Sequence, residues 1–92
     1  MNVIHDEDDL RFYGEVEGDE AELTYTYPDD KVMDFDHTFV PIQARGKGLA
    51  DQLVKAGLDF AKDKGYQIIP SCPVVAAYVK RHPEYGDLVD NG

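Results

Sequence analysis

Apolar and polar residues alternate with a period of two over the first forty positions. From Leu10 to Glu17, Phe12, Gly14 and Val16 fall on one face and Arg11, Tyr13 and Glu15 on the other. From Ala21 to Tyr27, Ala21, Leu23, Tyr25 and Tyr27 alternate with Glu22, Thr24 and Thr26. A third run, Lys31 to Val40, carries Val32 and Met33 near its start and Phe39 and Val40 at its end. Successive side chains of a strand point to opposite faces, so each run predicts a strand with one buried face. Gly18-Asp19-Glu20 and Pro28-Asp29-Asp30 separate the runs as turns, and such short turns predict antiparallel hairpins. Val3 and Ile4 add a short strand or anchor the N-terminus to the sheet.

The period changes after Val40. Between Gly48 and Lys64, Leu49, Ala50, Leu53, Val54, Gly57, Leu58 and Ala61 recur at helical spacing, with charged residues between them. Gly65 follows Lys62 and Lys64 as a C-terminal stop. Tyr66 to Ile69 reads as a strand ended by Pro70. Strand, helix and strand make a crossover unit, which predicts that the last two strands are parallel. Pro73 opens a second helix, Val74 to Arg81, and Pro83 ends it. The tail from Gly86 to Gly92 is expected to be loosely held. The fold class is therefore α/β (α+β): antiparallel hairpins, then a βαβ pair, with helices against a mixed sheet, as a single domain over 1–92.

Charge refines this picture. The chain of 92 residues has a formal net charge of −10, and residues 1–36 hold thirteen acids against two bases. Such a balance disfavours nucleic acid, whose phosphates need a basic face. The acidic half serves solubility, or acts as a funnel for a cationic acceptor such as an amine. No apolar run approaches the roughly 18 residues a membrane span needs, and Met1 to Leu10 lacks the features of a secretory signal. Cys72 is the lone cysteine, so no internal disulfide forms and a cytoplasmic location is expected.

Gln43-Ala44-Arg45-Gly46-Lys47-Gly48-Leu49-Ala50 joins a strand to a helix. Glycines allow close backbone approach, and the free N–H groups of the first helical turn favour an anion. The spacing is not that of a P-loop, nor does it hold the three glycines of a dinucleotide fingerprint, so an ATP or NAD site ranks low.

The setting narrows the reading further. The pattern Gln43-x-x-Gly46-x-Gly48 is preceded by His37-Thr38-x-Val40-Pro41. It is followed by Pro70-x-Cys72-Pro73 and by Tyr78-Val79-x-x-His82-Pro83-Glu84-Tyr85. Together these resemble the GNAT superfamily of N-acetyltransferases, in its small, single-domain YjdJ-type branch, over about residues 2–88. The resemblance implies a minimal acyl-CoA acyltransferase fold with acetyl-CoA as cosubstrate. Two parallel strands would splay apart to admit the pantetheine arm. Thr38, Phe39 and Val40 would pair with its amides, and Ile68 to Ser71 would form the second splayed strand. Backbone N–H groups of Arg45, Gly46, Lys47, Gly48, Leu49 and Ala50 would hold the pyrophosphate, with Gln43 touching it. Ala76 and Ala77 are small enough to let the second helix approach the thiol end. The chain lacks the helices that typically follow the first strand of this superfamily. Its acceptor groove is therefore expected to be open or completed by a partner, and the chain to be a monomer or weak homodimer.

Three residues are candidates for the chemistry. Cys72, beside the expected acetyl position, is a nucleophile or general acid, or else a small buried hydrophobe. His37 is a general base, or a strand histidine held by its neighbours. Tyr78 protonates the leaving thiolate, or is an aromatic anchor. His82 and Glu84 on a proline turn are poor metal ligands, and no metal is expected. Lys80 and Arg81 contact the adenosine end or are simply solvated. The function expected is acetyl-CoA-dependent transfer of an acetyl group to an amine of a protein, peptide or small molecule. The alternative is a non-catalytic acyl-CoA-binding regulatory module.

Overall fold

The predicted hairpins form, with both reversals displaced. A computed structural model describes residues 1–90. β1 (Ile4–Asp6), β2 (Arg11–Val16), β3 (Asp19–Asp29), β4 (Val32–Phe39) and β5 (Gln67–Ile69) make one sheet in that spatial order. All neighbours are antiparallel except β4 and β5, which are parallel. The first reversal is Glu17-Gly18 rather than Gly18-Asp19-Glu20; both residues take positive φ, 53° and 80°. That is the geometry of a two-residue type I′ hairpin, and it frees Asp19 and Glu20 to pair with Val16 and Glu15. The second reversal lies at Asp30-Lys31, with Lys31 at φ 61°, so Pro28 and Asp29 belong to β3. An irregularity between Thr26 and Asp29 absorbs Pro28, which has no N–H to give the ladder.

α1 (Leu49–Lys64) begins after Gly48 and ends at Gly65, both in left-handed conformation. It lies on the sheet face that bears Phe12, Ala21, Leu23, Tyr25, Met33 and Phe35, and it contributes Leu53, Val54, Leu58 and Ala61 to the same core. Gly57 faces the sheet at its closest approach: a Cβ there would meet Phe35 Cε1 at 2.8 Å and Leu23 Cδ2 at 3.2 Å. α2 (Pro73–Arg81) packs beside α1 on the same side, burying Val75 and Tyr78. Among the described residues no helix covers the opposite face of β2, β3 and β4.

The tail is docked, contrary to the expectation of a loose end. Pro83–Leu88 forms a 3-10 helix, Val89 bridges Ile68 in parallel, and the N–H of Asp90 donates to the Ile68 carbonyl at 2.8 Å. Tyr85 anchors it, buried against the core with its hydroxyl donating to Asp59 Oδ1 at 2.6 Å. Asp59 also accepts from Lys55 at 2.8 Å. Glycine and acidic residues masked this anchor in the sequence. Asn91 and Gly92 lie outside the described residues.

β1 is held by His5. Its ring stacks on Phe12 at 3.9 Å, abuts Phe60 at 4.4 Å and hydrogen-bonds the Tyr25 hydroxyl. Burial lowers the His5 pKa from 6.5, against the upward pull of Glu7 and Asp6. The same residue in the unfolded chain binds its proton at higher pH, so stability rises with pH across this interval. The His5 contribution is complete above about pH 6.5 and is lost as pH falls through the lower, folded value. A denaturation series from pH 8 to pH 5 is expected to show a fall in stability that His5→Phe flattens. An equally steep fall in the variant would assign it to other groups.

Candidate functional site

The site arises where β5 leaves β4. The two strands pair from Val32 and Gln67 to Asp34 and Ile69, and the N–H of Cys72 makes a further bond to the Phe35 carbonyl at 2.9 Å. Beyond that point they diverge, for two local reasons. β4 carries an extra residue: Tyr25 faces Phe35 but Thr24 faces His37, so Asp36 is a bulge that bends the strand. On the other side, Pro70 and Pro73 flank Cys72 and have no N–H with which to extend the ladder. Among the described residues, the edge of β4 at Thr38 and Phe39 therefore has no strand partner on the β5 side.

Beside the end of β4 lies a cleft of about 300 Å³ lined by Thr38, Phe39, Val40, Arg45, Ala50 and Val74. It shares Val40, Arg45 and Ala50 with a smaller cavity of about 170 Å³ under the glycine turn, where Ala44, Gly46, Gly48, Leu49 and Asp51 complete the wall. The turn leaves β4 through a 3-10 helix, Ile42–Ala44, with Ala44 buried. Gly46 and Gly48 take φ of 85° and 73°, and at neither does an atom lie within 4 Å of where a Cβ would stand. Gly48 is the N-cap of α1, and its carbonyl accepts the Gln52 N–H at 3.2 Å. No side chain caps the helix. The N–H groups of Leu49, Ala50 and Asp51 precede that first intrahelical bond, so a positive helix end faces the cavity.

The cations near this end already have protein partners. Arg45 Nε donates to the Val40 carbonyl at 3.1 Å, which lays the side chain along the cleft wall. Lys47 meets Glu17 of the β2–β3 reversal at 3.4 Å. Arg81 grips Asp51 with both nitrogens, at 3.0 and 3.2 Å, and its pKa rises through that hydrogen bond. Arg81 thereby neutralises a carboxylate that lines the cavity at the helix start and ties the end of α2 to the start of α1. Sequence reasoning assigned Arg81 to a ligand contact or to solvent and missed Asp51. Its only trace was an acid in the first turn of α1. Gln43 is exposed, and its side chain makes no hydrogen bond with the described residues.

Of the candidates for chemistry, Cys72 lies beside Thr38, which was expected to pair with the cofactor. Their Oγ1 and Sγ atoms are 3.2 Å apart at the point where the strands part. Cys72 is 6% exposed and is the N-cap of α2. His37 pairs with Thr24, whereas Thr38 pairs with the core residue Leu23, so His37 lies exposed on the opposite face of β4 from Thr38. Tyr78 is buried by other aromatic rings: His82 stacks on it at 4.2 Å and Tyr85 lies at 6.0 Å. Burial raises its hydroxyl pKa, Lys55 opposes this, and Asp51, Asp59 and Glu84 add to it. These neighbours place Tyr78 toward α1, and Val74 is the residue of α2 that lines the cleft. Ala76 and Ala77 are exposed. Among the described residues no group of three or more His, Cys, Asp or Glu is arranged to hold a metal. No helix there is long and apolar enough to cross a membrane.

Residues 11–88 match the sequence family described as GCN5-related N-acetyl-transferase. Protein NATD1 of Mus musculus and that of Gallus gallus are each 35% identical to the chain over 85 residues, covering 90% of it and 77% of the relative. The fold is similar to the NMR solution structure of a GCN5-like protein from Staphylococcus aureus. That match has a TM-score of 0.76 and 27% identity, and it covers 97% of this chain and 87% of the other. A mixed sheet that splays beside a glycine turn, together with these similarities, leads to one conclusion: the chain belongs to the GCN5-related N-acetyltransferases.

Proposed function

We propose that the cleft binds acetyl-CoA and that the protein transfers its acetyl group to an amine. One observation carries this reading: the cleft at the end of β4 shares Val40, Arg45 and Ala50 with the cavity at the start of α1, where the first N–H groups have no intrahelical partner. The ligand that fits has an anion at one end and an extended amide-bearing arm at the other. The anion suits the helix start, where Gly46 and Gly48 leave open space at the backbone. The arm suits the edge at Thr38 and Phe39, which can bond amides as an added strand would, while the Val40 carbonyl already accepts from Arg45.

In the transfer, the amine nitrogen attacks the thioester carbonyl, the carbon–sulfur bond breaks, and the sulfur leaves as a thiolate that takes up a proton. We assign the supply of that proton to Cys72 and Thr38, the polar pair 3.2 Å apart where the strands part. His37, on the other face of the strand, is placed to accept a proton from an amine arriving there. Both reactants held in one cleft supply much of the remaining acceleration.

Calorimetry with acetyl-CoA, and thiol release with a panel of amines, test the reading. Acetyl-CoA at 100 times its Kd is expected to stabilise the fold by about 2.7 kcal/mol, and ATP at the same concentration is not. Cys72→Ala is expected to lower kcat at least tenfold with the acetyl-CoA Kd unchanged, and intact-mass analysis to show no acetyl adduct before an amine is added. Stabilisation by ATP alone would reject the cofactor. Tight acetyl-CoA binding with no amine accepted would leave a regulatory acyl-CoA module as the better description.

A further inference from the structure

We infer that Arg81 is a positioning residue for the cofactor: it holds the Asp51 carboxylate away from the first N–H groups of α1, so that a phosphate of the ligand takes them instead. This rests on the acetyl-CoA reading and names the residue that sets affinity at that same site. Asp51 is the third residue of α1 and the one carboxylate among the described residues that line the cavity at the helix start. An acid at that position is attracted to the positive helix end and commonly turns back onto the N–H of the N-cap. Here no side chain caps the helix, and both Asp51 oxygens bond Arg81 instead. Nη1 donates to Oδ2 at 3.2 Å and Nη2 to Oδ1 at 3.0 Å. Such a two-pronged pair fixes the direction of the carboxylate as well as offsetting its charge.

Arg81 is itself held in place. It is the last residue of α2, where the negative helix end favours a cation, and its guanidinium lies 5.6 Å from the centre of the buried Tyr78 ring. The other cations near the helix start are committed elsewhere, Arg45 to the Val40 carbonyl and Lys47 to Glu17. Without Arg81, Asp51 stands as a like charge beside the phosphates and as a competitor for the same N–H groups. Two like charges about 4 Å apart in bulk water lower an affinity roughly fivefold. The side chains of Arg81 and Asp51 are 55% and 41% exposed. An exposed pair adds little to stability, so its effect falls on the ligand rather than on the fold.

The two partners are expected to give opposite results, which separates this role from a structural tie between α1 and α2. Arg81→Gln is expected to raise the acetyl-CoA Kd at least fivefold, measured by calorimetry on the full chain. Asp51→Asn breaks the same tie but removes the competitor, and it is expected to bind at least as tightly as the natural chain. The double variant is expected to bind within twofold of Asp51→Asn. Equal weakening by both single changes would make the pair a structural tie. A double variant as weak as Arg81→Gln would make Arg81 a direct contact of the phosphates. Either result would overturn the inference. If Arg81→Gln fails to fold, Asp51→Asn decides by itself, and a Kd raised more than twofold overturns the inference. Inorganic pyrophosphate, followed by amide shifts in NMR, is titrated in parallel. Opposite signs with pyrophosphate but no binding of acetyl-CoA would refute the cofactor alone. Acetyl-CoA bound equally well by the natural chain and Arg81→Gln would refute the role of Arg81 alone. Binding of neither probe by the natural chain would overturn both.

Discussion

Gly48→Val is expected to weaken acetyl-CoA binding about 10- to 100-fold while leaving the protein folded. Gly48 holds φ at 73° as the N-cap of α1. A β-branched residue is strained in that region by roughly 1–2 kcal/mol. A Cβ at this position meets no atom within 4 Å, so the backbone alone resists the change. If the turn keeps its shape, the valine side chain projects into the open space an anion would occupy. If the backbone relaxes to negative φ, the N–H groups at the start of α1 swing away from the cavity. Either outcome removes interactions worth one to two factors of ten, at about 1.4 kcal/mol for each. Gly48→Asn should lose much less, because asparagine tolerates the left-handed region. Calorimetry gives the affinities and thermal denaturation the stability. A valine variant that binds acetyl-CoA within twofold of the natural chain would show that the turn does not hold the phosphates.

Phe35→Ala should cause the largest loss of stability, about 3–5 kcal/mol. For a domain of this size each kcal/mol lowers Tm by roughly 4–8 °C, so the midpoint falls by about 12 °C or more. Phe35 is fully buried, with Tyr25 at 5.9 Å and Phe12 at 6.5 Å between ring centroids. Across from it, Gly57 has given up its side chain to make room for the ring. Removing the ring therefore opens a cavity that α1 has no side chain to fill. The carbonyl of Phe35 also receives the Cys72 N–H at the root of the splay, so the loss falls where the cleft begins. Gly57→Val alone should also destabilise, by about 1–3 kcal/mol, through overpacking against the same ring. In the double variant the added methyl groups occupy the vacated space, and the cost should be clearly below the sum of the two. Strict additivity in denaturant titrations would mean that helix and strand do not share this contact.

Much of the framework was legible because it is written in local periodicity. Phe12, Leu23 and Tyr25 fall on the buried face at every second residue, as read. Leu53, Val54, Leu58 and Ala61 fall on the buried stripe of a helix bounded by Gly48 and Gly65. The turns misled because both displaced reversals place a non-glycine residue, Glu17 or Lys31, at positive φ. Local propensity argues against such a choice, and the cross-strand register imposes it. The docked tail was hidden for a related reason: Tyr85 has no apolar period around it, and its partner Asp59 is 26 positions away.

The site divides along the same line. The glycine turn and its place before a helix were visible, since two glycines and a helix start are contiguous in the chain. The pairs that set its charge were not. Asp51 meets Arg81 across 30 positions, and Lys47 reaches Glu17 across the sheet. Thr38 and Cys72 meet across 34 positions. Neither was the bulge at Asp36, which sends His37 to the helix-free face while Thr38 turns toward Cys72.

By itself, the sequence determined which segments become strands and helices, and where a glycine turn stands between them. Those properties follow from the spacing of apolar side chains and from glycine's freedom at positive φ, both of which act over a few residues. The tertiary structure decided the register, the splay, the partners of Arg45, Lys47 and Arg81, and the helix-free face of the sheet. These depend on which distant backbones compete for the same hydrogen bonds and the same buried space.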